Sequence, residues 1–531
     1  MTAYSPSSAP RSEIQPFLVT ADEMQQIESR IFEAGMPVAA LMEKVAGHIT
    51  QALVAQYPRS RFARVGILVG PGHNGGDALV VGRELHFQGY EVKIFQPLSK
   101  LKKLTDHHAQ YAWNLGISFA ETVTDLQDCD LIVDGLFGFG LGRPLENDLA
   151  AAVNQINHWP IPVLSIDLPS GIATDSGEVM GTAIRAATTC CLGLWKRAFV
   201  QDAALDFIGQ PWLIDFDIPL ADIWAVLGDK PQVQRLLQAE AIARLPLPRP
   251  AASHKYKAGH LLLICGSRRY QGAAILSGLG AKASGVGMLS IAVPETLRAT
   301  MVATHPEALI IGCPEAEGGA IAQLPDNIEL SSFQAVAIGP GLTREAQPLV
   351  KSCLESARPL LLDADGLNCL AELNPIERLG QRSVPTVLTP HPGEFKRLFP
   401  DIRAQGADAG EAAQMAAQQT GAVILLKGAR TAIAHPDGQL WFNPESTSAL
   451  ARGGSGDVLT GLVGGLMAQH LAAMGAEDEL QAVLAAALGG AWWHAQAGIA
   501  AAQEKTELGV DPTTLATYLT PTLSRFLKQS V

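Results

Sequence analysis

Short apolar runs alternate with longer helical stretches along most of the chain, and that alternation most narrows what it can fold into. A β-branched or Leu-rich run followed by a crossover helix is the unit of a parallel sheet covered by helices. In the first half, Val65–Val69, Glu91–Phe95, Leu131–Val133, Val163–Ile166 and Trp212–Ile218 read as strands. Helices are expected over Thr20–Glu33, Val38–Gln56, Asp77–Gln88 and Asp106–Leu115. The pattern breaks at the polar stretch Gly228–Arg244 and at Pro246, Pro248 and Pro250, read as a linker and the start of a second domain. It then resumes at Leu261–Cys265, Met288–Val293, Val336–Ile338, Leu360–Asp363, Thr386–Thr389 and Val423–Lys427. A hairpin joins Thr431–Ala434 to Leu440–Phe442 around Pro436-Asp437-Gly438. The chain of 531 residues is too long for one ordinary core, and two α/β domains are expected, residues 1–228 and 229–531.

Charge and cysteine usage remove several function classes. The net charge is −13, so no broad basic field exists for nucleic acid, and any phosphate site must be local. The seven cysteines, at 129, 190, 191, 265, 313, 353 and 369, match no zinc spacing and suit a reducing cytoplasm. Met1–Glu13 is Ser/Pro-rich and lacks the apolar core of a signal peptide. Ala482–Ala502 is about long enough to span a membrane. Its alanine content and Gly489, Gly490, His494 and Gln496 read instead as a buried helix, so no membrane partner is expected.

Three strand ends in the first half carry glycine and polar oxygen. Gly70-Pro71-Gly72-His73-Asn74-Gly75-Gly76-Asp77 links a strand to a helix, where small residues and free N–H groups suit a phosphate. It is not the GxGxxG fingerprint, so hydride-transfer chemistry is not indicated. Asp134 leads into Gly135-Leu136-Phe137-Gly138-Phe139-Gly140-Leu141-Gly142-Arg143, and Asp167 begins Asp167-Leu168-Pro169-Ser170-Gly171. Ligands of open α/β sheets bind at the carboxyl ends of strands. Asn74, Asp134 and Ser170 would there supply hard oxygens to a monovalent cation, with Asp167 as a candidate acid/base. Each acid could equally be a cap or loop carboxylate.

Those motifs resemble the NAD(P)H-hydrate epimerase family over roughly residues 20–225. The resemblance implies a Rossmann-like three-layer domain and a potassium ion near Asn74, Asp134 and Ser170. It also implies substrate contacts from Asn74, Gly75, Gly76 and Asp77, from Gly138, Phe139, Gly140, Leu141, Gly142, Arg143 and Pro144, and from Asp167. The same fold also serves as a non-catalytic interaction module, so fold alone does not carry the activity.

In the second half, Arg452-Gly453-Gly454-Ser455-Gly456-Asp457 precedes a helix. Glycine-rich backbone at a helix start forms an anion hole for a transferring phosphoryl group, and an adjacent aspartate can deprotonate an attacking hydroxyl. This resembles the ribokinase-like superfamily. Gly272-Ala273-Ala274, Gly339-Pro340-Gly341-Leu342, Asp363-Ala364-Asp365-Gly366-Leu367-Asn368, Thr389-Pro390-His391-Pro392-Gly393-Glu394-Phe395 and Leu426-Lys427-Gly428-Ala429-Arg430-Thr431 resemble ADP-dependent NAD(P)H-hydrate dehydratase over about 240–528. One departure is Tyr256, which stands after Lys255 where the family usually has glycine; that segment is left out of the site.

The resemblance implies hydrate contacts from Ala274, Gly341, His391 and Asp457. Nucleotide contacts would come from Lys427, Gly428, Ala429, Arg430, Thr431 and Gly456. The implied activity is repair of hydrated NADH and NADPH. One half interconverts the R and S hydrates, and the other dehydrates the S form at the expense of ADP, giving AMP and phosphate. Magnesium would accompany the ADP, and a homo-oligomer is the expected assembly. A kinase acting on a vitamin-precursor alcohol or a sugar shares the Gly453–Asp457 cradle, but the His391 and Lys427 segments favour the dehydratase. A nucleotide-binding scaffold is the non-enzymatic alternative.

Overall fold

The computed structural model describes residues 10–404, 407–474 and 478–529. The sequence reading of Met1–Glu13 falls largely outside these residues. The chain divides into two compact units, Met1–Pro231 and Gln232–Val531.

The first unit is built on seven parallel strands: β1 (Arg64–Val69), β2 (Glu91–Phe95), β3 (Ser118–Ala120), β4 (Leu131–Gly135), β5 (Val163–Ile166), β6 (Thr188–Leu192) and β7 (Gln210–Ile214). Their order is β3-β2-β1-β4-β5-β6-β7. The sheet order reverses its direction of growth between β1 and β4, and an α/β sheet opens a crevice at such a switch point. Asn74 and Asp134 come from the two sides of that crevice. Helix α1 (Ala21–Glu33) starts on a full capping box, Thr20 with Glu23. A two-residue ladder pairs Leu18 with Trp195 and Val19 with Lys196.

Two readings of this unit need correction, and one strand stands where no element was expected. The helix after β1, α2, spans His73–Phe87, so Asn74–Asp77 form its first turn and not a preceding loop. Strand β7 ends at Ile214, short of the expected Ile218. The Cys190-Cys191 run is a strand, β6, buried over most of its length.

The second unit carries ten strands: β8 (Val233–Arg235), β9 (His260–Ile264), β10 (Met288–Pro294), β11 (Leu309–Cys313), β12 (Ala335–Ile338), β13 (Leu360–Leu362), β14 (Thr386–Leu388), β15 (Val423–Leu426), β16 (Ala432–Ala434) and β17 (Leu440–Phe442). Their order is β8-β17-β16-β15-β14-β13-β12-β9-β10-β11. Only β15–β16 and β16–β17 are antiparallel, the second being the expected hairpin. The stretch read as linker contributes β8, which pairs with β17, and the helix Gln238–Ala243. One face is covered by α3 (Gln271–Ser284), α6 (Ser455–Met474) and α7 (Glu479–Lys505), whose apolar residues join Leu261, Leu263, Ile291 and Ala337 in one core. The shorter helices α4 (Ala364–Ala371) and α5 (Pro392–Leu398) follow β13 and β14. Helix α7 is buried along most of its length, including His494 and Gln496, and no helix among the described residues is long and apolar enough to cross a membrane. All seven cysteines are buried free thiols.

Candidate active sites

In the first unit Asp134 is fully enclosed at the end of β4. Its carboxylate accepts from Ser170 Oγ (2.6 Å), Ser165 Oγ (2.8 Å), Ser170 N (2.9 Å) and Leu136 N (3.2 Å). Burial pushes its pKa up, while the Ser170 and Ser165 donors oppose that shift. Ser170 Oγ in turn accepts from Phe137 N at 2.9 Å. Asp167, just past β5, has φ 69°, a left-handed conformation that L side chains avoid and that concentrates at functional sites. Its Oδ2 accepts from Phe139 N at 2.8 Å. A Cβ added to Gly138 would stand 2.7 Å from Asp167 Oδ2 and 3.4 Å from the Asn74 carboxamide carbon, so three separate strand ends meet there. The Asn74 Nδ2 atom is buried without a hydrogen-bond partner. Beyond this cluster, Gly140, Gly142, Arg143 and Pro144 form an exposed rim, with Leu141 half-buried.

Two residues that the motifs did not single out complete this site. Lys196 is wholly buried and ion-paired at 2.5 Å to Asp167 Oδ1, and it also donates to the Leu192 carbonyl at 2.5 Å. Burial, the largest influence, works against its charge, but the charge and hydrogen bond of Asp167 together with Cys191 and Glu28 raise its pKa. The one clue in the sequence is a lone lysine at the close of the apolar run Cys190–Trp195. Glu28, half-buried on α1, is pushed up to about 7, by burial first; Lys196 opposes the shift and Asp167 adds to it. Asp77 is buried and raised well above the carboxylate range by burial and by the charges of Asp167 and Glu28. Burial therefore favours the protonated forms of Asp77 and Glu28, beside an ion-paired Asp167.

In the second unit the glycine loop enters α6 at Ser455. Asp457 lies in the first turn, and its pKa is pushed up to about 7, by burial first; Asp363 adds to the rise, Lys427 opposes it, and Asp365 and Glu394 add to it. Lys427 leaves β15 and lies 2.7 Å from Asp363 Oδ1. A Cβ on Gly456 would be 3.3 Å from Lys427 Nζ, so the expected nucleotide lysine and the glycine of the anion hole are adjacent. Gly428 and Ala429 are exposed, and Arg430 and Thr431 half-buried, as the chain turns toward β16. His494, held neutral by burial that lowers it to about 4, meets the Ser455 carbonyl at 3.0 Å and braces the loop from α7.

The remaining expected residues form a second cluster. Gly341, at φ 66°, lets its loop lie against the start of α3; a Cβ there would be 2.8 Å from that of Ala273. Ala274 is fully buried one residue on. The Cys265 thiol, just past β9, is pushed well up by burial first and then by the charge of Asp457. His391 is more than a link between two prolines. It caps α5, its Nδ1 accepting from Gly393 N at 2.9 Å while its own N–H reaches Glu394, and its ring is half exposed. Among the described residues, no three His, Cys, Asp or Glu side chains group as a metal site.

The two units match two protein-family models. Residues 261–521 match NAD(P)H-hydrate dehydratase, and residues 38–198 match the YjeF-related protein N-terminus. The chain is 51% identical over 516 residues to the bifunctional NAD(P)H-hydrate repair enzyme Nnr of Thermosynechococcus vestitus, covering 97% of this chain and 99% of that protein. It is 52% identical over 514 residues to the protein of the same name from Synechocystis sp., covering 97% and 96%. Among solved structures, the ADP/ATP-dependent NAD(P)H-hydrate dehydratase of Bacillus subtilis, co-crystallized with ATP/Mg2+, is 33% identical with a TM-score of 0.44, over 55% of this chain and 98% of that one. The chain belongs to the family of bifunctional NAD(P)H-hydrate repair enzymes.

Proposed function

We propose that the first unit epimerises hydrated NADH and NADPH at C6, and that the second unit dehydrates the S hydrate with ADP. The assignment of residues 1–228 and 229–531 to the two activities follows the two compact units to within a few residues. One observation carries the reading: Asp457 keeps a proton-accepting carboxyl near neutrality in the first turn of a glycine-led helix, with the Lys427 ammonium beside Gly456.

In the hydrate, C6 bears both a hydroxyl and the ring nitrogen. Hydroxide leaves poorly and phosphate leaves well. In the second unit Asp457 accepts the C6 hydroxyl proton as that oxygen attacks the β-phosphorus of ADP, and AMP departs. The ring nitrogen then expels phosphate, and loss of the C5 proton restores the dihydronicotinamide. Lys427 faces the phosphates, the adenosine lies along 428–431, and Ala274, Gly341 and His391 border the hydrate. One ammonium stands among four carboxyl groups, Asp363, Asp365, Glu394 and Asp457, so a nucleotide must bring its own counter-cation. Magnesium on the ADP phosphates supplies that neutralisation.

In the first unit epimerisation needs an acid to help the C6 hydroxyl leave and a base to activate the water that returns on the other face. Asp167, ion-paired to Lys196, is the base. Asp77 and Glu28, which hold protons, supply the acid, an arrangement of carboxyls with opposed roles. The unpartnered buried end of Asn74 and the oxygens of Asp134 and Ser170 fit potassium, once the amide is turned to present Oδ1. The cation would add fixed positive charge near the substrate phosphates.

The test is to supply each hydrate epimer with ADP or ATP and follow the returning dihydronicotinamide absorbance. Nucleotide-dependent recovery from both epimers is expected. Stable phosphorylated product without elimination would make the second unit a kinase, and tight nucleotide binding without turnover would make it a scaffold.

A further inference from the structure

Asp363 ends β13 and takes the N-cap position of α4. An aspartate in that place ordinarily turns its carboxylate onto the free N–H groups of its own helix. Asp363 makes no such bond. Its Oδ1 lies 2.7 Å from Lys427 Nζ, and its Oδ2 accepts the Thr460 hydroxyl at 2.6 Å. The side chain is enclosed, and the next residue, Ala364, has φ 47°, a conformation that L residues avoid. The local backbone is therefore bent to point this carboxylate away from its own helix and toward β15 and α6.

Those two elements carry the phosphate end of the site. Thr460 lies one turn beyond Gly456 on α6, and a Cβ on Gly456 would be 3.7 Å from Asp363 Oδ2. A single buried carboxylate thus ties together the end of β15, the glycine loop and the helix bearing Asp457.

We propose that Asp363 is a positioning residue for the phosphoryl transfer: it parks the Lys427 ammonium beside Gly456 and couples that charge, through Thr460, to the helix that carries Asp457. The inference rests on the dehydratase reading above. Nucleotide phosphate competes with Asp363 for Lys427. When the ammonium turns to the phosphates, Asp363 is left as an uncompensated anion near Asp457, which favours proton uptake by Asp457 at the moment the C6 hydroxyl must lose its proton. The charged and titratable groups facing Asp457 are Asp363, Lys427, Asp365 and Glu394, with the Cys265 thiol. Among the carboxylates Asp363 acts on it most strongly.

The test is the pH dependence of dehydration in the full chain, with S hydrate, ADP and magnesium. Asp363→Asn keeps the shape and removes the charge, so the acid limb of kcat should move down by roughly one to two pH units, the order of magnitude for losing a nearby unit charge at a partly screened site. Lys427→Met removes the opposing charge, so the same limb should move up by a similar amount, with KM for ADP raised roughly tenfold (about 1.4 kcal/mol). A purely structural Asp363 would lower kcat at every pH and leave the limb in place, which overturns the proposal. If Asp363→Asn does not fold, Lys427→Met alone decides: an unmoved or lowered limb overturns it. A wild-type protein that fails to turn over the hydrate would instead overturn the dehydratase reading itself.

Discussion

Each unit ends a buried strand with an aspartate that grips a lysine, but the two lysines differ in what they can reach. Lys196 has no exposed surface and a second bond to the Leu192 carbonyl. Lys427 is 21% exposed and lies against Gly456 of the glycine loop. An enclosed ammonium can only set the charge of its partner, here Asp167. A partly open one can leave its partner and meet an incoming anion. In the proposed reading, the same pairing serves proton transfer at a neutral hydroxyl in one unit and phosphate recognition in the other. In both, the backbone beside the aspartate is left-handed, at Asp167 and at Ala364, so the fold spends local strain to aim each carboxylate.

The sharpest way to separate the two centres is Asp457→Ala. Dehydration should fall by about 10²–10⁴-fold, the usual contribution of a positioned acid or base, while epimerisation measured on the same preparation stays intact. Parallel loss of both activities would mean that the centres are not independent. The next effect is on stability. Lys196→Met strands the buried Asp167 charge and should cost about 3–5 kcal/mol. Lys427→Met also strands a buried carboxylate, Asp363, but the Thr460 hydroxyl still donates to it and the lysine end of the pair is partly open, so the cost should be smaller, about 1–3 kcal/mol. Thermal unfolding of the full chain checks this, and equal losses would erase the distinction between a sealed and an open lysine.

Smaller effects follow from pH and salt. In the proposed base role Asp457 must be deprotonated to accept the hydroxyl proton, and burial raises its pKa to about 7. Dehydration should therefore be half-maximal near pH 7 and decline tenfold per unit below it. A flat profile from pH 5 to 8, in steady-state assays, would remove Asp457 from the base role. The mildest test is Ser170→Ala, expected to reduce potassium stimulation of epimerisation by a few-fold; an unchanged response to potassium against sodium would take Ser170 out of the cation site.

The parallel sheets and the glycine–acid motifs were legible because each is local: a strand, its terminal turn and the next helix are contiguous in sequence. Asn74, Asp134 and Asp167 could be placed at strand ends for that reason, and their convergence at Gly138 follows from the order of the sheet. The boundary of α2 was misplaced because a glycine N-cap, Gly72, and two glycines in the first turn, Gly75 and Gly76, mask a helix start that packing imposes. Strand β8 was hidden because Val233-Gln234-Arg235, three residues at a sheet edge with one apolar side chain, shows no alternating pattern. Lys196 and Glu28 were the least legible. Lys196 is fixed by pairing with Val19, far off in sequence, and its only local sign is its place at the close of an apolar run; Glu28 reaches the site from α1 with no local signal. Asp363 and Glu394 stood inside quoted motifs, but their roles depend on where Lys427 and Thr460 arrive from β15 and α6.

The central claim is that two separate centres on one chain act in succession on the hydrate. The most direct test supplies the R hydrate with ADP and magnesium to Asp167→Asn, to Asp457→Ala, and to an equal mixture of the two. Each variant alone should restore dihydronicotinamide no faster than spontaneous epimerisation allows, and the mixture should recover it at a rate approaching the wild type. Recovery by Asp167→Asn alone at the wild-type rate, or failure of the mixture while each variant stays folded, would contradict the account.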